Sequence, residues 1–150
     1  MKEIAIITGG NSAEYEISLS SANVVLKNLN KKKYNGTIIN IKDNNWIAEI
    51  NGNKIEVNKE DFSLTNKGDK ILFDFIFMAL HGPPAENGEI QPYFDNLNLT
   101  YSSCNPEVSS QTFNKIECNK LLTEFGFICA NSYNYKKGED IIPKKIIEKV

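Results

Sequence analysis

The chain has 150 residues, 41% of them hydrophobic and 24% charged, with a formal net charge of -2 at pH 7. That length suits one compact domain with a real core, and the apolar and charged shares are those of a water-soluble globular protein. The near-neutral balance, without a basic stripe, gives no footing for nucleic acid or an anionic membrane surface as partner.

Cys104, Cys118 and Cys129 form no Cys-x-x-Cys pair, which points to reduced thiols rather than a disulfide framework or zinc site. No stretch approaches the about 18 consecutive apolar residues of a membrane span. MKEIAIITGG is too short for a signal peptide and carries Glu3. A cytoplasmic location is expected.

EIAIIT (3–8), ended by Gly9-Gly10, reads as a strand buried on both faces of a parallel sheet. Ser18 is expected to cap a helix whose apolar face is Ala22, Val25, Leu26 and Leu29. Lys31 to Lys33 then lie at its negative pole. TIINI (37–41) is the second strand, completing a βαβ unit with a right-handed crossover. Asn51-Gly52 and Lys67-Gly68 each separate alternating runs. They predict two hairpins, a small antiparallel decoration that Trp46 packs onto the body.

FDFIFMAL (73–80), the most apolar run, is expected to be the central strand, ended by His81-Gly82. EIQPYFDNLN (89–98) predicts a short helix with Pro92 in its first turn, and LTYSS (99–103) another strand. One turn is expected over 106–110, then a single helix over 111–126 with Phe113, Ile116, Leu121 and Leu122 on one stripe and Gly126 at its end. FICANSYNY (127–135) reads as a strand, and PKKIIEKV (143–150) starts a helix with Pro143 at its first position. The fold class expected is α/β: a three-layer Rossmann-like domain with a mostly parallel sheet and a small antiparallel hairpin insertion.

Open α/β sheets bind ligands outside the carboxyl ends of their parallel strands. Two loops belong there: GGNSAE (9–14) and HGPPAENG (81–88), the second with the only histidine of the chain. The first is neither G-x-G-x-x-G nor a P-loop, and Glu14 would repel a phosphate. A carboxylate in a tight loop better suits an ammonium group. His81 can donate to a carboxylate or acyl oxygen, with Glu86 orienting it. Equally, His81 closes the strand end and Glu86 caps the next helix. Neither a Ser-His-Asp set nor a metal-ligand cluster can be assembled from the sequence.

GGNSAEYEISLSSA, then FDFIFMALHGPPAENGEIQPYFDNLNLTYSS, then TFNKIECNKLL resemble, in order and approximate spacing, the D-alanine–D-alanine ligases. The first block carries Gly-Gly, Ser-x-Glu and Ser-Leu-x-Ser. The second is similar to the family's His-Gly-x-x-x-Glu-Asp-Gly loop. The resemblance implies a pre-ATP-grasp substrate domain over 1–105, and over 106–150 a connector and the start of an ATP-grasp portion whose remainder lies outside this chain. It implies that Glu14 holds the ammonium of the first D-alanine, that His81 sits beside the reacting carboxylate and its acyl-phosphate, and that Glu86 supports the substrate loop. Lys115, in a stretch resembling Met-Asp-Lys, would lie near the ATP phosphates; read by itself, it is a solvated helix lysine.

The implied reaction uses ATP with Mg2+ or Mn2+, bound mainly by the absent portion, to make D-alanyl-D-alanine for peptidoglycan and the cell wall. A homodimer through the N-terminal domain is implied as well. The 150 residues alone are expected to be inactive, and uncapped Val150 fits a chain cut at a domain boundary. Two departures stand out. Asn87 occupies the family's Asp position, and Pro83-Pro84-Ala85 stiffens the loop and removes two N–H donors. They favour an alternative, a stand-alone small-amino-acid-binding or degenerate interaction module. A D-alanine–D-lactate ligase is a second alternative.

Overall fold

The computed structural model describes residues 1–136, 138–140 and 143–147, the side chains of Lys145 and Ile146 excepted. The chain forms two compact units, Met1–Ser110 and Gln111–Val150.

The first unit is built on β1 (Lys2–Gly9), paired in parallel along its whole length with β2 (Tyr34–Lys42). Between them runs α1 (Tyr15–Asn28). Then come β3 (Asn45–Ile50), β4 (Asn53–Glu56), β5 (Leu64–Asn66), β6 (Asp69–Ile71) and β7 (Phe75–Met78). The sheet order is β4-β3-β2-β1-β7, with β1 parallel to both neighbours and β3 and β4 antiparallel at one side. β5 and β6 form a separate antiparallel pair.

Side chains alternate along a strand, and β1 uses both faces. Ile4 and Ile6 join Ala22, Val25, Leu26 and Leu29 of α1 in one apolar layer. Ala5 and Ile7 join Ile39, Ile76, Leu80, Phe62 and Phe94 in the other. The second layer is closed by α2 (Gln91–Asn96), with Pro92 in its first turn. Helix, sheet and opposite layer give the three-layer α/β arrangement expected from the sequence.

Several elements differ from the sequence reading. α1 begins at Tyr15, so Ser18 lies buried inside the helix rather than capping it. The helix stops at Asn28, before Lys31 to Lys33, and its last-turn cation is Lys27. The hairpin around Asn51-Gly52 extends the main sheet; only the Lys67-Gly68 hairpin stands apart. The run 73–80 yields a strand at the end of the order, not its centre, because 99–103 contributes one bridge, Ile76 to Tyr101, instead of a strand. Trp46 packs as anticipated, its ring 6.0 Å from Phe62 and 5.0 Å from Tyr93.

Phe62, at the centre of this aromatic cluster, has φ +54°, rare for a bulky residue. Asp61 braces the turn: its Oδ1 accepts from the Ser63 N–H and hydroxyl, and Lys70 pairs with its Oδ2. The Lys70 and Ser63 hydrogen bonds hold the Asp61 carboxyl below its ordinary value. A depressed carboxylate stabilises the fold above its unfolded value, and that contribution is lost as pH falls through the depressed one. Acid titration of stability is therefore expected to separate wild type from Asp61→Ala at neutral pH and to bring them together in strong acid. A gap of constant size at every pH would contradict this role.

In the second unit the expected single helix is broken. α3 (Pro106–Phe113), which starts in the first unit, ends before Asn114, and α4 (Lys115–Glu124) begins after it. The Asn114 side chain accepts from the N–H groups of Ile116 and Glu117, a full N-cap. Gly126 and Phe127 donate to Thr123 and Leu122, closing α4 in a Schellman turn. No α4 residue is buried, so the anticipated stripe covers no core there. Residues 127–135 form no strand; a strand needs a partner for its ladder, and no described segment forms a β-ladder with them. α5 (Pro143–Ile147) starts at Pro143 as expected, and residues 148–150 of the anticipated helix lie outside the described ones.

Candidate functional site

The carboxyl ends of β1 and β7 lie side by side, which brings their two loops together. The Asn11 N–H points at the Pro83 carbonyl at 3.4 Å. Gly82, at φ +75°, lies so close to Ser12 that a methyl group added there would come within 2.9 Å of its Cβ and Oγ, and 3.7 Å from Glu14 Oε2. Only glycine fits this approach. The prolines supply carbonyls in place of the N–H groups they lack: Pro83 accepts from Asn11 and Pro84 from Ile90. Buried Gln91 braces the second loop by donating to the Ala85 carbonyl at 2.6 Å.

Two serines join Glu14 to His81 through their main chains. The His81 N–H donates to Ser18 Oγ at 2.9 Å, and that hydroxyl donates to the Glu14 carbonyl at 3.1 Å. The Glu14 N–H donates to Ser12 Oγ at 3.1 Å, and that hydroxyl donates to the His81 carbonyl at 3.1 Å. Each hydroxyl gives one hydrogen bond and takes one, so the four contacts close a ring.

The imidazole lies between a third serine and a carboxylate. Ser21 Oγ is 3.0 Å from Nε2, and Glu86 Oε1 is 3.8 Å from Nδ1, both side chains of the ion pair being partly exposed. A hydroxyl, an imidazole and a carboxylate in this order are the ingredients of a hydrolytic triad. Here the carboxylate is beyond hydrogen-bond reach, and Ser21 lies inside α1 rather than on an exposed elbow. Glu86 does not cap α2, whose N-cap is Ile90 without a side-chain hydrogen bond. Glu14 sits at the N-cap of α1, also without a side-chain cap bond. Its charge there is favoured by the helix dipole and is not spent on capping.

Thus the structure brings together Glu14, His81 and Glu86. Lys115 belongs to the other unit, at the first position of α4, where its exposed Nζ donates to the Thr112 carbonyl at 3.0 Å. Ser12, Ser18 and Ser21 escaped the sequence reading as site residues. The available signal was spacing: Ser18 and Ser21, three apart on a helix, share a face, and that face meets the end of β7.

A cavity of about 620 Å3 beside the loops is lined by Asn11, Trp46, Lys59, Ile90 and Tyr93, among others. Burial, and then the charge of Asp61, push the Tyr93 hydroxyl up to about 12, so it stays a neutral donor to the Lys59 carbonyl. A larger groove of about 920 Å3 crosses β2 and β3 and includes neither Glu14 nor His81. All three cysteines are free thiols. Among the described residues, no three His, Cys, Asp or Glu side chains gather to hold a metal ion, and no helix is long and apolar enough to cross a membrane.

An open α/β sheet with two loops locked together over the carboxyl ends of parallel strands defines the class: a Rossmann-like domain with its polar constellation at the strand ends. The chain belongs to the D-Ala-D-Ala ligase family, and residues 3–104 match the model of that family's N-terminus. A D-alanine–D-alanine ligase of Flavobacterium johnsoniae is 44% identical over 151 residues, covering 100% of this chain and 47% of its own length. The VanG D-Ala:D-Ser ligase of Enterococcus faecalis has a similar fold, with TM-score 0.72 and 28% identity, over 83% of this chain and 42% of that one. A Bacillus anthracis D-alanine–D-alanine ligase structure complexed with ATP gives TM-score 0.69 and 25% identity, over 99% of this chain and 44% of that one. The chain spans about half the length of the curated relatives it matches.

Proposed function

We propose that this chain is the substrate-domain portion of an ATP-dependent ligase that joins two D-alanines through an acyl-phosphate, for peptidoglycan synthesis in the cytoplasm. The observation that carries the reading is the meeting of the Glu14 and His81 loops in a chain of this family. Support for D-alanine as substrate comes from the names of the relatives, and for ATP from the Bacillus anthracis complex.

In the proposed reaction, the Glu14 carboxylate takes the ammonium of the first D-alanine in a charge-assisted hydrogen bond. The substrate's carboxylate, phosphorylated by ATP with release of ADP, becomes the electrophile for the amine of the second, and phosphate leaves as the tetrahedral intermediate collapses to the amide. His81 donates toward the acyl oxygens, where negative charge grows in the tetrahedral intermediate. Glu86, beside Nδ1, orients the ring. Fixing these groups before the substrate arrives lowers the entropic cost of reaching the reactive geometry. Lys115 is proposed to approach the ATP phosphates. A divalent cation accompanying ATP would neutralise phosphate charge, and no cluster among the described residues is suited to hold it.

Residues 1–105 are proposed as the substrate domain and 106–150 as the connector. The compact unit Met1–Ser110 and the match over 3–104 support that division. Dimerisation through this domain belongs to the same proposal, supported by exposed Ile17 and Val24 on the outer face of α1.

The test compares the 150 residues with the same chain extended by the half its relatives possess. D-alanine- and ATP-dependent phosphate release is expected only from the extended protein. Robust release by the 150 residues alone would overturn the division of labour; none from either would remove the ligase reading.

A further inference from the structure

The ring formed by Ser12, Ser18, Glu14 and His81 fixes the position of the histidine main chain. It leaves open which ring nitrogen of His81 carries the proton, and the groups around the ring decide that. A carboxylate can only accept, whereas a hydroxyl can donate or accept. Glu86 Oε1 faces Nδ1 at 3.8 Å and Ser21 Oγ faces Nε2 at 3.0 Å. The negative charge near Nδ1 favours a proton on that nitrogen. Nε2 is then the lone-pair side, and Ser21 donates to it.

We propose that Ser21 is a positioning residue that holds neutral His81 as its Nδ1–H tautomer, working with the Ser12–Ser18 ring that fixes the histidine main chain. The hydroxyl has a further property. When the imidazole gains a second proton at Nε2, the Ser21 O–H turns and accepts from it. The ring therefore changes charge without rotating and without losing a partner. A histidine held this way presents one defined proton on the Glu86 side, and it can pass between donor and acceptor in a fixed orientation. Its use in acyl transfer rests on the ligase reading; the tautomer itself does not.

The fold lends itself to a direct test, because His81 is the only histidine. A long-range proton–nitrogen NMR correlation of the 150-residue protein, at a pH where the imidazole is neutral, shows one ring and no overlap. The expected pattern is a pyrrole-type Nδ1 and a pyridine-type Nε2. Ser21→Ala should move the ring toward the Nε2–H form, and Ser21→Thr should restore the wild-type pattern. Glu86→Gln, at an exposed position, should move it in the same direction as Ser21→Ala, because the negative charge that favours a proton on Nδ1 is gone. Backbone amide spectra report whether each variant keeps the fold. A merely structural serine would leave the tautomer unmoved.

An Nε2–H ring in the wild type overturns the proposal, as does a ring pattern indifferent to Ser21→Ala. Adding D-alanine separates this inference from the ligase reading. The expected tautomer, with no D-alanine-dependent phosphate release from the extended protein, leaves Ser21 in its role and counts against the ligase reading. A D-alanine response with an Nε2–H ring does the reverse.

Discussion

Glu14→Gln in the extended ligase is expected to raise the KM for the first D-alanine by roughly 10- to 100-fold, with a smaller change in kcat. Replacing the carboxylate by an amide removes one charge-assisted hydrogen bond to the substrate ammonium, worth about 1.5–3 kcal/mol, and about 1.4 kcal/mol corresponds to tenfold. In the proposed reaction that bond exists before and during the chemical step, so its loss is expected to show first in KM. The substitution should spare the fold, because the Glu14 side chain makes no cap hydrogen bond and only its main chain enters the serine ring. Steady-state kinetics with D-alanine varied, and a D-alanine titration of the 150-residue protein by NMR, read the same interaction in two ways. An unchanged KM with unchanged shifts would remove Glu14 from the ammonium site.

Phe94→Ala should produce the largest loss of stability, about 3–5 kcal/mol for a truncated buried phenylalanine. Phe94 is 0% exposed, and its ring lies 5.1 Å from Phe62, 5.2 Å from Tyr93 and 6.1 Å from Tyr101. Removing it empties the centre of the layer opposite α1. A domain of this kind commonly has about 5–15 kcal/mol in total, so the variant would be marginal at room temperature. The effect should reach the site, since Phe94 shares α2 with Gln91, the brace of the His81 loop. In urea unfolding, the midpoint should fall sharply with an unchanged slope. Phe94→Leu, which keeps most of the volume, should lie between the two. A midpoint close to that of wild type would mean the cluster closes over the cavity.

The predicted features that hold in the structure were local ones. A short β-branched run ended by glycines favours a strand, and here it is buried on both faces. The spacing of Ala22, Val25, Leu26 and Leu29 marks one helix face, and Asn51-Gly52 supplies the left-handed conformations, φ +51° and +79°, that a tight hairpin needs. The motifs around Glu14 and His81 pointed to the family, because chemical identity at fixed spacing is itself a property of sequence. Each of these depends on contacts within a few residues, or on residue type alone.

What only the tertiary structure decided involves groups far apart in the chain. The sequence displays Ser12, Ser18 and Ser21 as three ordinary hydroxyls. The partner all three share, His81, lies 60 or more residues away, on a loop brought alongside by the parallel pairing of β1 with β7. The apolar runs at 73–80 and 127–135 both read as strands; the first pairs with β1 but at the end of the sheet order, and the second forms no strand. Apolar character reports burial, whereas a strand also needs an edge to pair with, and only the assembled sheet supplies one. Phe62 occupies a backbone conformation its own side chain disfavours, because Asp61, Ser63 and Lys70 brace the turn while four other aromatic rings surround it. Long-range hydrogen bonds and packing outweigh local preference at such points, and in this protein the groups that hold its candidate site together are among them.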